Sequence, residues 1–188
     1  MKAIIVFFVG ALLLTGCATH APTHMALNPQ TPAITSPVLK VSPLAVEMID
    51  TRSANFVARF NRGDDAAQLV SPSEAPRQQL DQVFRLGFTK AGYTIDPSSV
   101  QHVEIQLEKL LTDVNESFFG YEATNDIVIN VIASNTLKTF TKRYTGHNKV
   151  SGPLSPDFAT LELAMNVLLD QLTSKIINDP ELNQFIQE

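Results

Sequence analysis

The side chains able to move protons or hold a metal are few in this sequence, and their spacing decides what chemistry is open to them. His20 and His24 stand four apart, which on a helix would put both imidazoles on one face as half of a metal site. Prolines flank them and no carboxylate lies near enough in sequence to complete a ligand set, so they read as solvated histidines. His102 and His147 could each serve as a base beside a serine, but a triad needs geometry as well as inventory. Neither a Gly-x-Ser-x-Gly elbow nor a glycine-rich phosphate loop occurs among the eight glycines. Glu104, Glu108 and Asp113 suggest the paired carboxylates of a glycosidase. On a strand, Glu104 and Glu108 would share a face about 13 Å apart at ~3.3 Å per residue, beyond either glycosidase separation. These residues therefore predict a solvated strand face, with no catalytic residue, no metal site and no cofactor.

Aromatic side chains crowd one short segment, Glu116-Ser117-Phe118-Phe119-Gly120-Tyr121, at the expected connection between two strands. Rings on a loop can stack on a sugar or anchor a partner. They can equally cover the end of a hydrophobic core. Phe118, Phe119 and Tyr121 are thus the candidate interaction patch, with both readings open.

The residue with the most specific chemistry is Cys17, the sole cysteine. Before it come Lys2, an apolar run over residues 3–14, and Thr15-Gly16, the layout of a secretory signal. The run is well short of the ~20 apolar residues a spanning helix needs. Leu14-Thr15-Gly16-Cys17 resembles the lipobox of bacterial lipoproteins. That resemblance implies cleavage between Gly16 and Cys17, an S-diacylglyceryl group on the thiol and an N-acyl chain on the freed amine. At about 0.8 kcal/mol per buried methylene, three chains would hold permanently where one binds reversibly. Ala18 stands where an aspartate would retain such a lipoprotein at the inner membrane, so the same analogy implies the outer membrane, with the domain facing the periplasm. With its thiol consumed, the chain can form neither a disulfide nor a thiolate metal site.

The formal charge is −5 and the sequence pI near 5.3, without the basic footprint that nucleic acid demands. Residues 18–37 contain no Asp, Glu, Lys or Arg and carry Pro22, Pro29, Pro32 and Pro37. Such a segment reads as a flexible tether, about 60 Å long if fully extended and about 25 Å as a coil. The expected organisation is a signal peptide over residues 1–16, a lipidated tether over 17–37, and one domain over 38–188.

Within that domain, residues 44–49 predict a first strand, and Gln68-Leu69-Val70 a short one. Ser73 and Glu74 suggest a helix start with Pro76 in the first turn, and Gly92 a C-cap. Tyr93-Thr94-Ile95 suggests a brief strand. Val103, Ile105 and Leu107 alternate with polar residues, and the phase slips at Leu110-Leu111, which predicts a strand with a bulge. Residues 126–133 and 137–150 continue an antiparallel meander through a tight turn at Asn135-Thr136. A final helix opens near Ser155-Pro156-Asp157 and breaks at Asn178-Asp179-Pro180, with a last helical turn over residues 180–186. The order β-α-β-β-β-α predicts a two-layer α+β domain, two main helices on one face of a mostly antiparallel sheet.

Several of these segments together resemble the YajG-type lipoproteins of Gram-negative bacteria. The resemblance is carried by the lipobox, Asp50-Thr51-Arg52, Ala91-Gly92-Tyr93, Leu111-Thr112-Asp113-Val114 and the Asn166-Val167-Leu168-Leu169-Asp170 run. It implies an envelope lipoprotein and no catalytic signature. The functional expectation is a non-enzymatic binding or assembly module, held to a membrane by lipid and engaging an envelope protein or cell-wall component. A carrier or sensor of a muropeptide or lipid is the alternative, and a peptidoglycan hydrolase the least favoured reading.

Overall fold

A computed structural model of the chain describes residues 23–35, 37–38 and 41–188; Cys17, His20 and the signal segment lie outside them. Eight strands and three helices follow one another: β1 (His24–Met25), β2 (Pro43–Asp50), β3 (Ala58–Arg62), β4 (Gln68–Pro72), α1 (Pro76–Ala91), β5 (Thr94–Ile95), β6 (His102–Ser117), β7 (Gly120–Ser134), β8 (Thr139–Gly152), α2 (Phe158–Ile177) and α3 (Pro180–Gln187).

The expected mostly antiparallel sheet under two helices is wrong. All eight strands form one mixed sheet that curls into a half-barrel, covered by three helices. Its axis is β6. One edge of β6 pairs antiparallel with β7 along its whole length, and β7 with β8, as the meander predicts. The other edge is shared by two strands, both parallel to it: β2 against residues 102–107 and β3 against residues 112–116. Parallel neighbours cannot be joined by a tight turn. Here α1 supplies part of the crossover, so partners distant in sequence become adjacent. Beyond β3 lie β4, antiparallel, and β1, parallel to β4; beyond β2 lies β5, also parallel.

Alternation in β6 buries Val103, Ile105 and Leu107 completely. The register then shifts between Leu107 and Lys109, the predicted bulge, after which Leu110, Thr112 and Val114 carry the buried face. A polar rung crosses this apolar layer. Thr112 Oγ1 donates to Asn125 Oδ1, Asn125 Nδ2 to Asn148 Oδ1 at 2.7 Å, and Asn148 Nδ2 to the Ala164 carbonyl of α2 at 3.2 Å. The three side chains sit at paired register positions, and any slip would leave buried polar groups unpartnered at about 1–3 kcal/mol each. The rung therefore helps fix both strand register and helix placement.

Both long helices start later than expected. Neither Ser73 nor Ser155 caps: α1 begins at Pro76 behind Ala75 with no side-chain cap, and α2 begins behind Asp157, whose carboxylate accepts from Ala159 N. Proline at N1 needs no amide partner, which suits the uncapped start of α1. Gly92 ends α1 with φ of 109°, the left-handed conformation that glycine adopts without penalty. The two helices touch at Gly87, where an added Cβ would lie 2.2 Å from Ile177 Cδ1.

The segment expected to be tether is in part built into the fold. Residues 23–35 lie along α2 as an extended strap, with Met25 and Leu27 in the core. Ala26 N donates to Glu162 Oε1 at 2.6 Å, Asn28 N to Asn166 Oδ1 at 2.7 Å, and Gln30 N to Asp170 Oδ1 at 2.7 Å. Further along, Thr35 N donates to Asn178 Oδ1 at 2.8 Å. Two residues of extended chain advance about 6.6 Å and four of helix about 6.0 Å, so alternate strap amides meet every fourth helix side chain. The helix thus offers the strap a row of acceptors much as a sheet edge would.

Candidate functional site

The β6–β7 hairpin closes through Phe118 and Phe119, and both rings stand in solvent at 93% and 87% exposure. Their centroids are 5.3 Å apart and nearly perpendicular. A two-residue connection leaves no room for these side chains to fold back, so they do not cover the core. The turn depends on Gly120, whose φ is 152° and whose added Cβ would meet the Gly152 carbonyl oxygen at 2.3 Å. Ser117 Oγ donates to the Gly120 carbonyl at 2.9 Å and closes the turn. Tyr121 parts company with its neighbours: half-buried, it packs against the core and over Gly152. Leu154, 79% exposed, stands just beyond the end of β8, whose Gly152 pairs with Tyr121. This end of the sheet thus presents two phenylalanines and a leucine to solvent.

Two paths show which way β1 and the strap run. β1 runs parallel to β4, which is antiparallel to β3, and β3 ends with Arg62 beside Glu116, next to the hairpin tip. Independently, the strap runs in the same direction as α2, which begins six residues after β8 reaches that end. On both counts the chain enters β1 from the side of the aromatic tip.

The polar groups weighed for catalysis are dispersed. Glu104 accepts from Gln106, Glu108 bridges Arg143 at 2.6 Å, and Asp113 bridges Arg59 and accepts from Asn61 at 2.7 Å. The Arg59 hydrogen bond holds the Asp113 carboxyl below its ordinary range in spite of partial burial. His102 lies 3.5 Å from Glu47, while His147 pairs with Asp126 at 2.8 Å, itself held by Lys109 at 2.8 Å. His24 sits in β1, its Nδ1 2.9 Å from Thr23 Oγ1. Among the described residues no cluster of three metal-binding side chains occurs.

The most heavily engaged carboxylate is one the sequence does not advertise. Asp179 caps α3 through Glu181 N at 2.9 Å and Leu182 N at 3.2 Å, accepts from Tyr144 Oη at 3.0 Å and bridges Lys142 at 2.7 Å. Burial pushes its pKa up, but Lys142 and the other donors outweigh burial and hold it down. Burial, then the facing carboxylate, raises the Tyr144 phenol. Burial also pushes the Tyr93 phenol up to about 12, and its hydroxyl donates to Asn183 at 2.8 Å. Asp50-Thr51-Arg52 closes β2: Arg52 grips Asp50 through Nε and Nη2, and Thr51 donates to the Leu107 carbonyl from its amide and hydroxyl. These contacts are architectural.

Hollows among the described residues are open or small. A surface groove of about 580 Å³ lies between the strap and α2 at Asp170 and Lys175. A smaller one of about 200 Å³ lies between Arg52, Phe56 and the bulge in β6. No described helix is long and apolar enough to cross a membrane.

Comparison with known proteins adds a family and a fold. The profile of a family described as "Uncharacterized lipoprotein" matches residues 29–187. Protein XCC0632 from Xanthomonas campestris has a similar structure, with 16% identity, 88% of this chain and 99% of that one covered, and a TM-score of 0.59. A putative neuraminyllactose-binding hemagglutinin homolog from Helicobacter pylori aligns over 89% of this chain and 98% of its own at 8% identity, with a TM-score of 0.42. A minor lipoprotein from Acinetobacter baumannii aligns over 76% and 92% at 11% identity and a TM-score of 0.37. At these identities the first shows a shared fold, and the other two carry no argument. No protein of curated function matches the sequence.

Proposed function

The chain belongs to this family of uncharacterized lipoproteins, and from that membership we propose that it is an outer-membrane lipoprotein of the YajG type, acylated at Cys17 and facing the periplasm as a non-enzymatic binding or assembly module. The observation that carries the reading is the strap. A flexible leash would let the domain roam, whereas here the chain is paired with β4 from His24 and bound along α2 from Ala26. The six residues from Cys17 to Thr23 can span at most about 20 Å. Acylation at Cys17 would therefore hold the domain close to the bilayer, in a restricted orientation, ready to meet an envelope protein or the cell wall.

The carboxylates and histidines weighed for catalysis stand apart, each held in its own ion pair or hydrogen bond, which supports a role without catalysis. A muropeptide or lipid carrier would call for an enclosed site of about 300 Å³ or more, and the open grooves favour that alternative less. Mass spectrometry of the mature N-terminus tests the anchor: it should show a triacylated cysteine, and a Cys17→Ser variant should stay unprocessed and unlipidated. Normal maturation of that variant would overturn the reading, and co-fractionation with inner-membrane markers would overturn the location.

A further inference from the structure

We propose that the Phe118–Phe119 tip is a second membrane contact, dipping into the surface of the bilayer that carries the lipid anchor; the idea rests on acylation at Cys17. Three observations meet at one end of the molecule. The two rings are 93% and 87% exposed and pack on each other rather than on the domain. Leu154 adds a third apolar side chain there, held at a left-handed φ of 63°. The first described strand, β1, runs away from this same end.

The distances agree. Register carried through β4 and β3 sets His24 near the level of Leu111 and Thr112 on β6. From Thr112 to Phe118 is six strand positions, about 20 Å at ~3.3 Å per residue. The six residues from Cys17 to Thr23 reach the same distance at full extension. With its acyl chains in the leaflet, the short leash turns this end toward the lipid, and the exposed rings meet it there.

The charges nearby select the kind of surface. Arg62 bridges Glu116 at 3.1 Å and Lys149 bridges Glu122 at 2.7 Å, so both cations of the tip are spoken for. The β3–β4 turn adds the exposed Asp64 and Asp65. Such a rim gains nothing from anionic headgroups and limits insertion to the depth of the rings. The occupant that fits is a zwitterionic phospholipid surface, met by apolar burial.

The chain has no tryptophan, so a single substitution makes a clean reporter. Mature acylated protein carrying Phe118→Trp is reconstituted into phosphatidylcholine vesicles with brominated acyl chains, beside a Leu137→Trp variant. Leu137 is 87% exposed in the β7–β8 turn, at the opposite end of the sheet. The indole of Phe118→Trp should shift to the blue and lose at least about half its emission to the bromines, as expected of a ring buried ~5–10 Å into the interface. The indole of Leu137→Trp should keep its aqueous emission, and adding anionic lipid should not strengthen the quenching at the tip.

Equal emission from both reporters on vesicle-bound protein overturns the tip contact and leaves the anchor standing. A blue shift at the tip without bromine quenching reveals a protein partner, such as a second copy, and also overturns it. Quenching at Leu137→Trp reverses the orientation and overturns it as well. Failure of the anchor is read separately, by the mass of the N-terminus and loss of vesicle association.

Discussion

Asp179 joins four partners in one buried spot, and removing it should carry a large cost for a single polar change. Asp179→Ala loses the α3 cap, worth about 1 kcal/mol. It also leaves the Tyr144 hydroxyl without an acceptor in the core, at about 1–2 kcal/mol. The bridge to Lys142, whose side chain is a third exposed, adds less than about 1 kcal/mol. The sum is about 3 kcal/mol, or roughly 6–12 °C in Tm for a domain of this size. Asp179→Asn keeps a good capping side chain and loses only the charge, so it should cost about half as much. Its pH dependence follows from the depressed pKa of Asp179, which burial raises and Lys142 and the other donors lower further. A carboxyl whose pKa is lower folded than unfolded contributes fully above its unfolded value, about pH 4, and progressively less as pH falls through the folded value. Urea unfolding should therefore show the gap between wild type and Asp179→Asn intact at neutral pH and narrowing below about pH 4. A gap that is constant with pH, or an Asp179→Ala variant as stable as wild type, would refute the account.

Gly87→Ala should destabilise by about 1–3 kcal/mol, because its methyl would collide with Ile177 Cδ1. Adding Ile177→Val, which removes that carbon, should restore part of the loss in thermal unfolding. Asn166→Ala removes an acceptor and a donor from the strap; amide exchange at residues 26–30 should accelerate while the β6–β7 amides stay protected. Phe118→Ser with Phe119→Ser should leave Tm unchanged within what about 0.5 kcal/mol would produce, since neither ring packs on the domain. A large drop would mean that the tip supports the fold.

What the sequence made legible was local. Alternation announced β6, the phase slip announced its bulge, and Gly92 announced the end of α1, each through a pattern only a few residues long. The parallel pairing of β2 and β3 with β6 left no such mark, because partners 54–57 positions apart are chosen by packing and not by turn chemistry. β1 and β3 escaped notice for another reason: one has two residues, and the other alternates Ala58 and Phe60 with arginine and asparagine in too short a run to read. Composition alone makes residues 23–35 look like tether, yet a segment without charge is ordered where another element supplies its hydrogen bonds. The clue was in α2, where Glu162, Asn166 and Asp170 place an acceptor every fourth residue along one face. Phe118 and Phe119 were legible as residues of interest, but only the two-residue turn decided that they face solvent.

The strap also determines how the domain would bear a pull on its N-terminal chain. Its rungs to Glu162, Asn166 and Asp170 lie in a row along the chain, so a force directed along the strap loads them together in shear. A force directed away from α2 reaches them one at a time and peels the segment like a zipper, beginning at Ala26. Each rung released that way adds two residues to the leash, about 7 Å of extended chain. The strap would thus lengthen in discrete steps under a perpendicular tug, and hold its length under a lateral one.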